Sequence, residues 1–328
     1  MKKQVLIIAA CLLGGILLSC SGSVEQEQGK EETKPTLSFS FDDGSIQDFP
    51  NYPSADWNQL LLDNLQKNKV KAILFVKGAG LDNDKGQKII RTWDSAGHLI
   101  GNHTYSHPNL NSDKISLEDF KEELLKTDSL INGYSNFTKI FRFPYLKEGN
   151  TVAKRDGFRD FLREKDYKIG HVSIDASDWY IHSRLVKRLR DNPNADISAF
   201  KAFYIKHLFE RAQYYDELAQ ELTGRSIKHN LLLHHNLPAA LFLDDLIAHF
   251  KANGWEIVDA KEAYQDTVYR EIPMNIPAGE SLIWALAKQT GKYDSILRYP
   301  AEDSQYEEAE MDSLGLYRTT FMLNPRNP

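Results

Sequence analysis

Ser40-Phe41-Asp42-Asp43-Gly44 closes an apolar, strand-like run made by Leu37, Phe39 and Phe41. Neighbouring side chains on a strand point to opposite faces. At the end of a strand, where Gly44 lets the backbone turn, both carboxylates could reach one site. Two like charges that close repel, so such a site needs a cation or a shifted pKa. The plain alternative is a solvated turn, since Asp and Gly are common turn residues.

From Pro35 onward, short apolar runs alternate with helical patterns. Leu37 to Phe41 reads as a strand, and Asp56 to Gln66 as a helix with Trp57, Leu60, Leu61 and Leu65 at helical spacing. Lys71 to Val76 is a second strand, Gln87 to Ala96 a helix, and His98 to Gly101 a third strand. Ser116-Leu117-Glu118-Asp119 resembles a capping box ahead of a helix from Phe120 to Ile131. Ile140-Phe141-Arg142 begins another strand, Phe158 to Lys165 is helical, and Lys168 to Ile174 is a strand. Ser183 to Leu222 reads as a long polar-helical region. A strand at Asn230 to Leu233, a helix at Leu241 to Asn253 and a strand at Trp255 to Val258 complete the pattern. Strands alternating with helices imply βαβ units and a parallel sheet or barrel. Ligands gather at the carboxyl ends of the strands in such folds. Residues 187–224 exceed a normal crossover and read as an inserted helical excursion; residues 266–328 lack the strand-helix rhythm and form a C-terminal extension of no assignable role.

Polar residues cluster at these strand ends. His103 and His107, in His-Thr-Tyr-Ser-His, would share a face if that segment were helical, and imidazoles suit zinc and related metals. Asp43 is a candidate third ligand; three protein ligands with one open position is the catalytic arrangement of zinc. Phe141-Arg142-Phe143-Pro144-Tyr145 puts an arginine at a strand end beside a ladder-stopping proline. Asp175-Ala176-Ser177-Asp178-Trp179 follows another strand, and Leu231-Leu232-Leu233-His234-His235 ends a buried-looking one. Taken singly, each has an ordinary explanation: incidental histidines, a surface arginine, a helix-capping aspartate, a histidine at a sheet rim.

Taken in order, the five segments resemble the motifs of the polysaccharide deacetylases, carbohydrate esterase family 4, also called the NodB homology domain. The resemblance runs from about Thr36 to Tyr264, and Gly97-His98-Leu99-Ile100-Gly101-Asn102-His103-Thr104-Tyr105-Ser106-His107-Pro108 is especially close. It implies an irregular (β/α)7 barrel over residues 36–265, with the helical insertion and the C-terminal extension added. It implies a divalent metal, zinc first, with Co2+, Ni2+ or Fe2+ as alternatives, on Asp43, His103 and His107. Asp42 would be the general base that deprotonates the attacking water, held by Arg142. His234 would be the general acid, with Asp178 paired to it. The backbone N–H of Tyr145 would help stabilise the oxyanion, and Trp179 and Leu232 would line the pocket for the acetyl methyl. Two positions depart from the common pattern: Ser40 stands where threonine is frequent, and His235 follows His234 where aspartate is common.

The implied activity is hydrolysis of N-acetyl groups on amino sugars of a peptidoglycan-like or chitin-like glycan, releasing acetate. Its alternatives are an O-acetyl esterase, for instance on acetyl-xylan, and a non-catalytic glycan binder on the same fold.

The chain has 328 residues, 41% hydrophobic and 26% charged, which is ordinary globular composition. Its net charge of −6 and the lack of a basic, aromatic-interleaved patch argue against a nucleic-acid partner. Residues 1–19 read as a signal peptide: Lys2 and Lys3 precede an apolar run from Val5 to Leu18. The run ends Leu17-Leu18-Ser19-Cys20, which resembles a bacterial lipobox, so Cys20 is the expected lipidation site. Residues 20–35 read as a polar tether. The expected location is the cell envelope, periplasm-facing or exposed on an outer membrane, with a lipid anchor and an acetylated glycan as partners. The two cysteines, Cys11 and Cys20, both lie in the leader region, so the domain's stability comes from core burial. Oligomeric state is not legible.

Overall fold

The computed structural model describes residues 34–297 and 304–316. The leader, Cys20 and nearly all of the tether lie outside the described residues. Everything described belongs to one compact unit, Thr33–Pro328. In chain order it comprises β1 (Thr36–Asp43), α1 (Ser54–Lys67), β2 (Ile73–Val76), α2 (Gly78–Leu81), α3 (Asp84–Ser95), β3 (Leu99–Asn102), α4 (Leu117–Ile131), β4 (Phe137–Phe141), β5 (Lys147–Gly149), α5 (Val152–Glu164) and β6 (Lys168–Ile169). Then come α6 (Asp178–Asp191), α7 (Ser198–Thr223), β7 (Lys228–His234), α8 (Leu237–Ala252), β8 (Glu256–Ile257), α9 (Ala260–Ala263), β9 (Ala278–Gly279), α10 (Leu282–Thr290) and α11 (Gln305–Ser313).

Seven strands form one sheet in the order β6-β4-β3-β2-β1-β7, with β8 pairing the start of β1. Every pairing in it is parallel. In β1 the alternation of side chains divides two environments. Leu37, Phe39 and Phe41 join the apolar core that also takes in Trp57, Trp93 and Leu243 of the surrounding helices. Ser38, Ser40 and Asp42 are buried on the opposite face. Ser40 Oγ there donates to Asn230 Oδ1 at 2.8 Å, so the interior of the curl is polar and hydrogen-bonded. A second apolar cluster, Phe120, Phe141, Phe143 and Phe158, packs α4 and α5 against β4.

Residues 168–174 close the curl into an irregular barrel. They were expected as one strand, but only Lys168 and Ile169 ladder onto β4. The chain then crosses to β7, where Ile174 bridges Leu231 and the Leu232 N–H reaches Ile174 C=O at 3.1 Å. A stretch that leaves one neighbour for another cannot keep a continuous ladder.

The expected polar helical region is two helices. α7 is not a polar excursion: Phe203, Tyr204, Leu208, Tyr215 and Leu218 are buried, and the helix packs against α6, α8 and α10. The segment after Asp266 also folds onto the barrel, through β9 antiparallel to β5 and through α10. No helix among the described residues is long and apolar enough to cross a membrane.

Candidate active site

The strand register sets the site. Asp42 pairs with Phe75 and His234, Asp43 with Val76, Val76 with Asn102, and Asn102 with Phe141. The carboxyl ends of five strands therefore lie in one row, and Lys77, His103 and Arg142 each follow the last residue of a strand. At the end of β1, Asp43 and Gly44 both adopt left-handed backbone, with φ of 77° and 82°. A Cβ on Gly44 would lie 2.4 Å from Leu81 Cδ1, so both conformation and space call for glycine. The turn brings the Asp42 and Asp43 carboxylates to one cavity of about 430 Å³.

Asp43, His103 and His107 offer donor atoms within 4.8 Å of one another, the sole such group of three or more His, Cys, Asp or Glu among the described residues. His103 Nε2 lies 3.9 Å and His107 Nε2 3.8 Å from Asp43 Oδ1. The histidines do not share a helix face, as a helical reading of this segment would require. They sit on a loop in which Thr104 and His107 have φ of 63° and 64°. His103 Nδ1 donates to the Arg142 carbonyl at 2.8 Å, which fixes the tautomer and leaves Nε2 as a lone-pair donor. Asp43 Oδ1 is buried and makes no hydrogen bond. Its nearest cation is Lys77 Nζ, at 3.3 Å. A buried carboxylate oxygen without a hydrogen bond, facing two imidazole nitrogens, is a donor set suited to a divalent metal. Burial pushes both imidazoles down to about 3, so they stand neutral and able to ligate.

Asp42 borders the same group, with Oδ2 3.8 Å from His103 Nε2, but is also held from behind by Arg142. Arg142 Nη1 donates to both of its oxygens at 3.1 Å. Arg142 is itself fully buried, with Nη2 bonded to Ser40 Oγ and Tyr264 Oη at 3.1 Å each and Nε bonded to the Gly170 carbonyl. Burial raises the Asp42 pKa, and the Arg142 charge opposes that rise.

Across the cavity, His234 Nδ1 is 2.7 Å from Asp178 Oδ1. Asp178 Oδ2 accepts from the His234 N–H at 2.9 Å and from Asn236 Nδ2 at 2.8 Å. Asp178 is the first residue of α6, but its carboxylate is turned to the histidine and does not cap the helix. Burial alone would lower the His234 pKa; the Asp178 carboxylate, with Asp43 and Asp42 behind it, outweighs that and the imidazole is pushed up to about 9. His235 is elsewhere. Its Nδ1 accepts from the Ser45 N–H and its Nε2 bonds Asn58 Oδ1, both at 2.9 Å, and its ring packs on Trp57. Both nitrogens are occupied, so His234 is the imidazole that lines the cavity.

Tyr145, Trp179 and Leu232 line the same cavity. Tyr145 has a left-handed φ of 56° and its ring lies edge-on to His107 at 4.5 Å. All ten residues singled out within the barrel thus converge. Three supporting residues were missed. Lys77 carries the strand-end position that marked the others. Asn236 stands two residues past His234, at the N-cap of α8 ahead of Pro238. Tyr264 has no local signal, because its contact with Arg142 spans 122 residues.

Residues 29–160 match the family model described as polysaccharide deacetylase. The chain is 24% identical over 245 residues to a peptidoglycan-N-acetylglucosamine deacetylase of Bacillus cereus, covering 73% of this chain and 71% of that protein. It is 35% identical over 155 residues to a chitin deacetylase of Colletotrichum lindemuthianum, covering 45% of this chain and 54% of that one. It spans only 28% of a peptidoglycan-N-acetylglucosamine deacetylase of Listeria monocytogenes, at 29% identity over 47% of this chain. Among solved structures, the Colletotrichum chitin deacetylase aligns over 70% of this chain and 88% of its own, at 21% identity and a TM-score of 0.47.

Proposed function

We propose that this chain, whose residues 29–160 match the polysaccharide deacetylase model, carries out metal-dependent hydrolysis of N-acetyl groups on the amino sugars of a peptidoglycan-like or chitin-like glycan. One observation carries the reading. A single cavity sets the Asp43–His103–His107 group between a carboxylate held by an arginine and an imidazole held charged by a carboxylate.

Asp43, His103 and His107 would hold the cation, and two imidazoles with one carboxylate suit zinc, with cobalt, nickel or iron(II) compatible with the same donors. When bound, the cation supplies Lewis acidity toward the amide carbonyl and lowers the pKa of the attacking water toward about 7. Asp42 accepts the proton of that water. Arg142 keeps Asp42 in place, and its charge opposes the rise that burial imposes on the Asp42 pKa. His234 donates a proton to the departing nitrogen, because an amine leaves poorly as its anion. Asp178 keeps that proton on His234. The Tyr145 N–H faces the developing oxyanion, a contact of a kind worth about 3 kcal/mol. Trp179 and Leu232 receive the acetyl methyl. A glycan binder would have no use for a paired proton acceptor and proton donor.

Acetate release should be measured on chitooligomers, peptidoglycan and acetyl-xylan, with and without chelator. The expected result is release from the N-acetylated glycans that is lost on metal removal and lowered at least about 100-fold in Asp42→Asn, which still binds metal. Release that survives metal removal would reject the mechanism, and release from acetyl-xylan alone would make the chain an O-acetyl esterase.

The proposal includes a lipid anchor at Cys20 in the cell envelope, supported by the Leu17-Leu18-Ser19-Cys20 sequence. Incorporation of a fatty-acid analogue should vanish in Cys20→Ser; equal labelling of the variant would remove the anchor.

A further inference from the structure

We propose that the segment after Asp266 is a working part of the active site: Gly279 and Glu280 clamp the Tyr145–Leu146 turn in the backbone conformation that presents the Tyr145 N–H to the reacting carbonyl. The inference deepens the deacetylase reading and rests on it.

Tyr145 and Leu146 are consecutive non-glycine residues with φ of 56° and 54°. Left-handed backbone at such residues is strained and persists only where the surroundings impose it. The turn's own hydrogen bond, from the Leu146 N–H to the Phe143 carbonyl at 3.0 Å, is joined here by contacts from the C-terminal segment. β9 pairs antiparallel with β5, the strand that begins directly after the turn, with Lys147 opposite Gly279 and Gly149 opposite Ala278. The Glu280 N–H donates to the Leu146 carbonyl at 2.9 Å, and the Leu282 N–H to the Val172 carbonyl at 2.7 Å. Glu280 Oε1 also pairs with Lys147 Nζ.

Gly279 makes this approach possible. Its φ is 129°, outside the range of side-chain-bearing residues, and a Cβ there would lie 2.0 Å from Leu146 O. The chain leading into β9 is anchored by two buried arginines of α5. Arg159 bonds Glu148 Oε2 at 3.0 Å and the Pro273 carbonyl at 2.8 Å, and Arg155 bonds the Met274 carbonyl at 2.6 Å. Beyond β9, α10 packs on α7. The clamped turn is tied to the cavity wall as well, since the Leu146 side chain packs on Val172 and Leu232. A shift of the turn therefore moves both the N–H and the wall that receives the methyl.

The test compares the full-length, zinc-loaded chain with Gly279→Ala, reading acetate release from N-acetylglucosamine oligomers, zinc stoichiometry and amide hydrogen exchange. Removing an oxyanion donor outright lowers kcat about 100-fold or more, so its displacement should cost at least about tenfold in kcat, with KM and zinc content within about twofold. Exchange of the amides of residues 145–149 and of Glu280 should speed up. If Gly279→Ala does not fold, Glu280→Gly serves: it keeps the N–H and tolerates the backbone but deletes the Lys147 pair, and should lower kcat about two- to fivefold with the same exchange signature. A folded Gly279→Ala protein with wild-type kcat, a change confined to KM, or unchanged exchange at residues 145–149 would overturn the clamp. A wild-type chain that binds zinc yet releases no acetate would overturn the deacetylase reading instead, and the exchange comparison would then decide the clamp alone.

Discussion

Asp178 does its work through three hydrogen bonds, two of them to His234 and one to Asn236. Against the lowering by burial, its charge is the largest of those that raise the His234 pKa from 6.5 to about 9, Asp43 and Asp42 adding to it, so the folded protein favours the protonated ring. The stability this adds is fully present below 6.5 and is lost as pH rises through about 9. Activity that needs a protonated His234 falls as pH rises through about 9. In Asp178→Asn, the carboxylate is gone while the amide still fills its place, and the alkaline limb of the kcat profile should move to lower pH, toward 6.5. A bound cation lowers the limb in both proteins and leaves the direction of the difference intact. The loss in kcat should therefore be larger at pH 9 than at pH 6, reaching about tenfold or more at the alkaline end. A limb that does not move would remove Asp178 from its role. His235 shows why the neighbouring imidazole cannot substitute: burial drives its pKa down to about 3 and both of its nitrogens are taken.

At the scale of elements, what the sequence made legible depended on whether the cause was local. The capping box at Ser116 and Asp119 needs only residues three apart, and both of its hydrogen bonds are present. The strands ending at Asp43, Val76, Asn102 and His234 are short buried runs, and their chemistry follows from standing at carboxyl ends. Gly44 announced the turn at Asp43, but the left-handed turns at Thr104, His107 and Tyr145 left no trace, because no glycine stands there to announce one. That is why the two histidines suggested a helix face and proved to lie on a loop. The break in residues 168–174 was equally hidden: it comes from barrel closure, in which Gly170 bonds Phe141 of β4 while Ile174 bonds Asn230 of β7. β9 is only two residues long, and its pairing depends on Lys147–Gly149, more than a hundred residues earlier. The polar reading of α7 failed because its Tyr and His residues are partners in packing: Tyr204 and Tyr215 are buried, and His207 stacks on Phe203 at 5.8 Å.

On the scale of the whole molecule, α11 docks on the helices beside the site. Arg184 of α6 is buried, donates to Asp312 Oδ1 at 2.6 Å and lies over the Tyr180 ring at 4.8 Å. Arg188 Nη2 bonds the Gly315 carbonyl at 2.7 Å, and His207 of α7 sits 3.6 Å from Glu307. Met311 and Leu316 are buried in the same core that holds β1 and α8. Each of those two side chains contributes on the order of 2 kcal/mol by burial, and ordering the segment gives much of that back. A net contribution of about 2 kcal/mol corresponds to a melting shift of roughly 5 °C in a domain of this size. A chain ending at residue 297 should therefore melt several degrees lower. Its kcat/KM at 25 °C should stay within about twofold, because none of these contacts is made to a cavity residue; the nearest approach is indirect, through His207, whose Nε2 also lies 3.4 Å from Ser177 Oγ beside Asp178. Thermal unfolding and acetate release on the truncated chain check the two halves separately. An unchanged melting temperature would mean that α11 docks without stabilising. A large fall in kcat at full metal loading would mean that the docked tail also sets the position of Asp178.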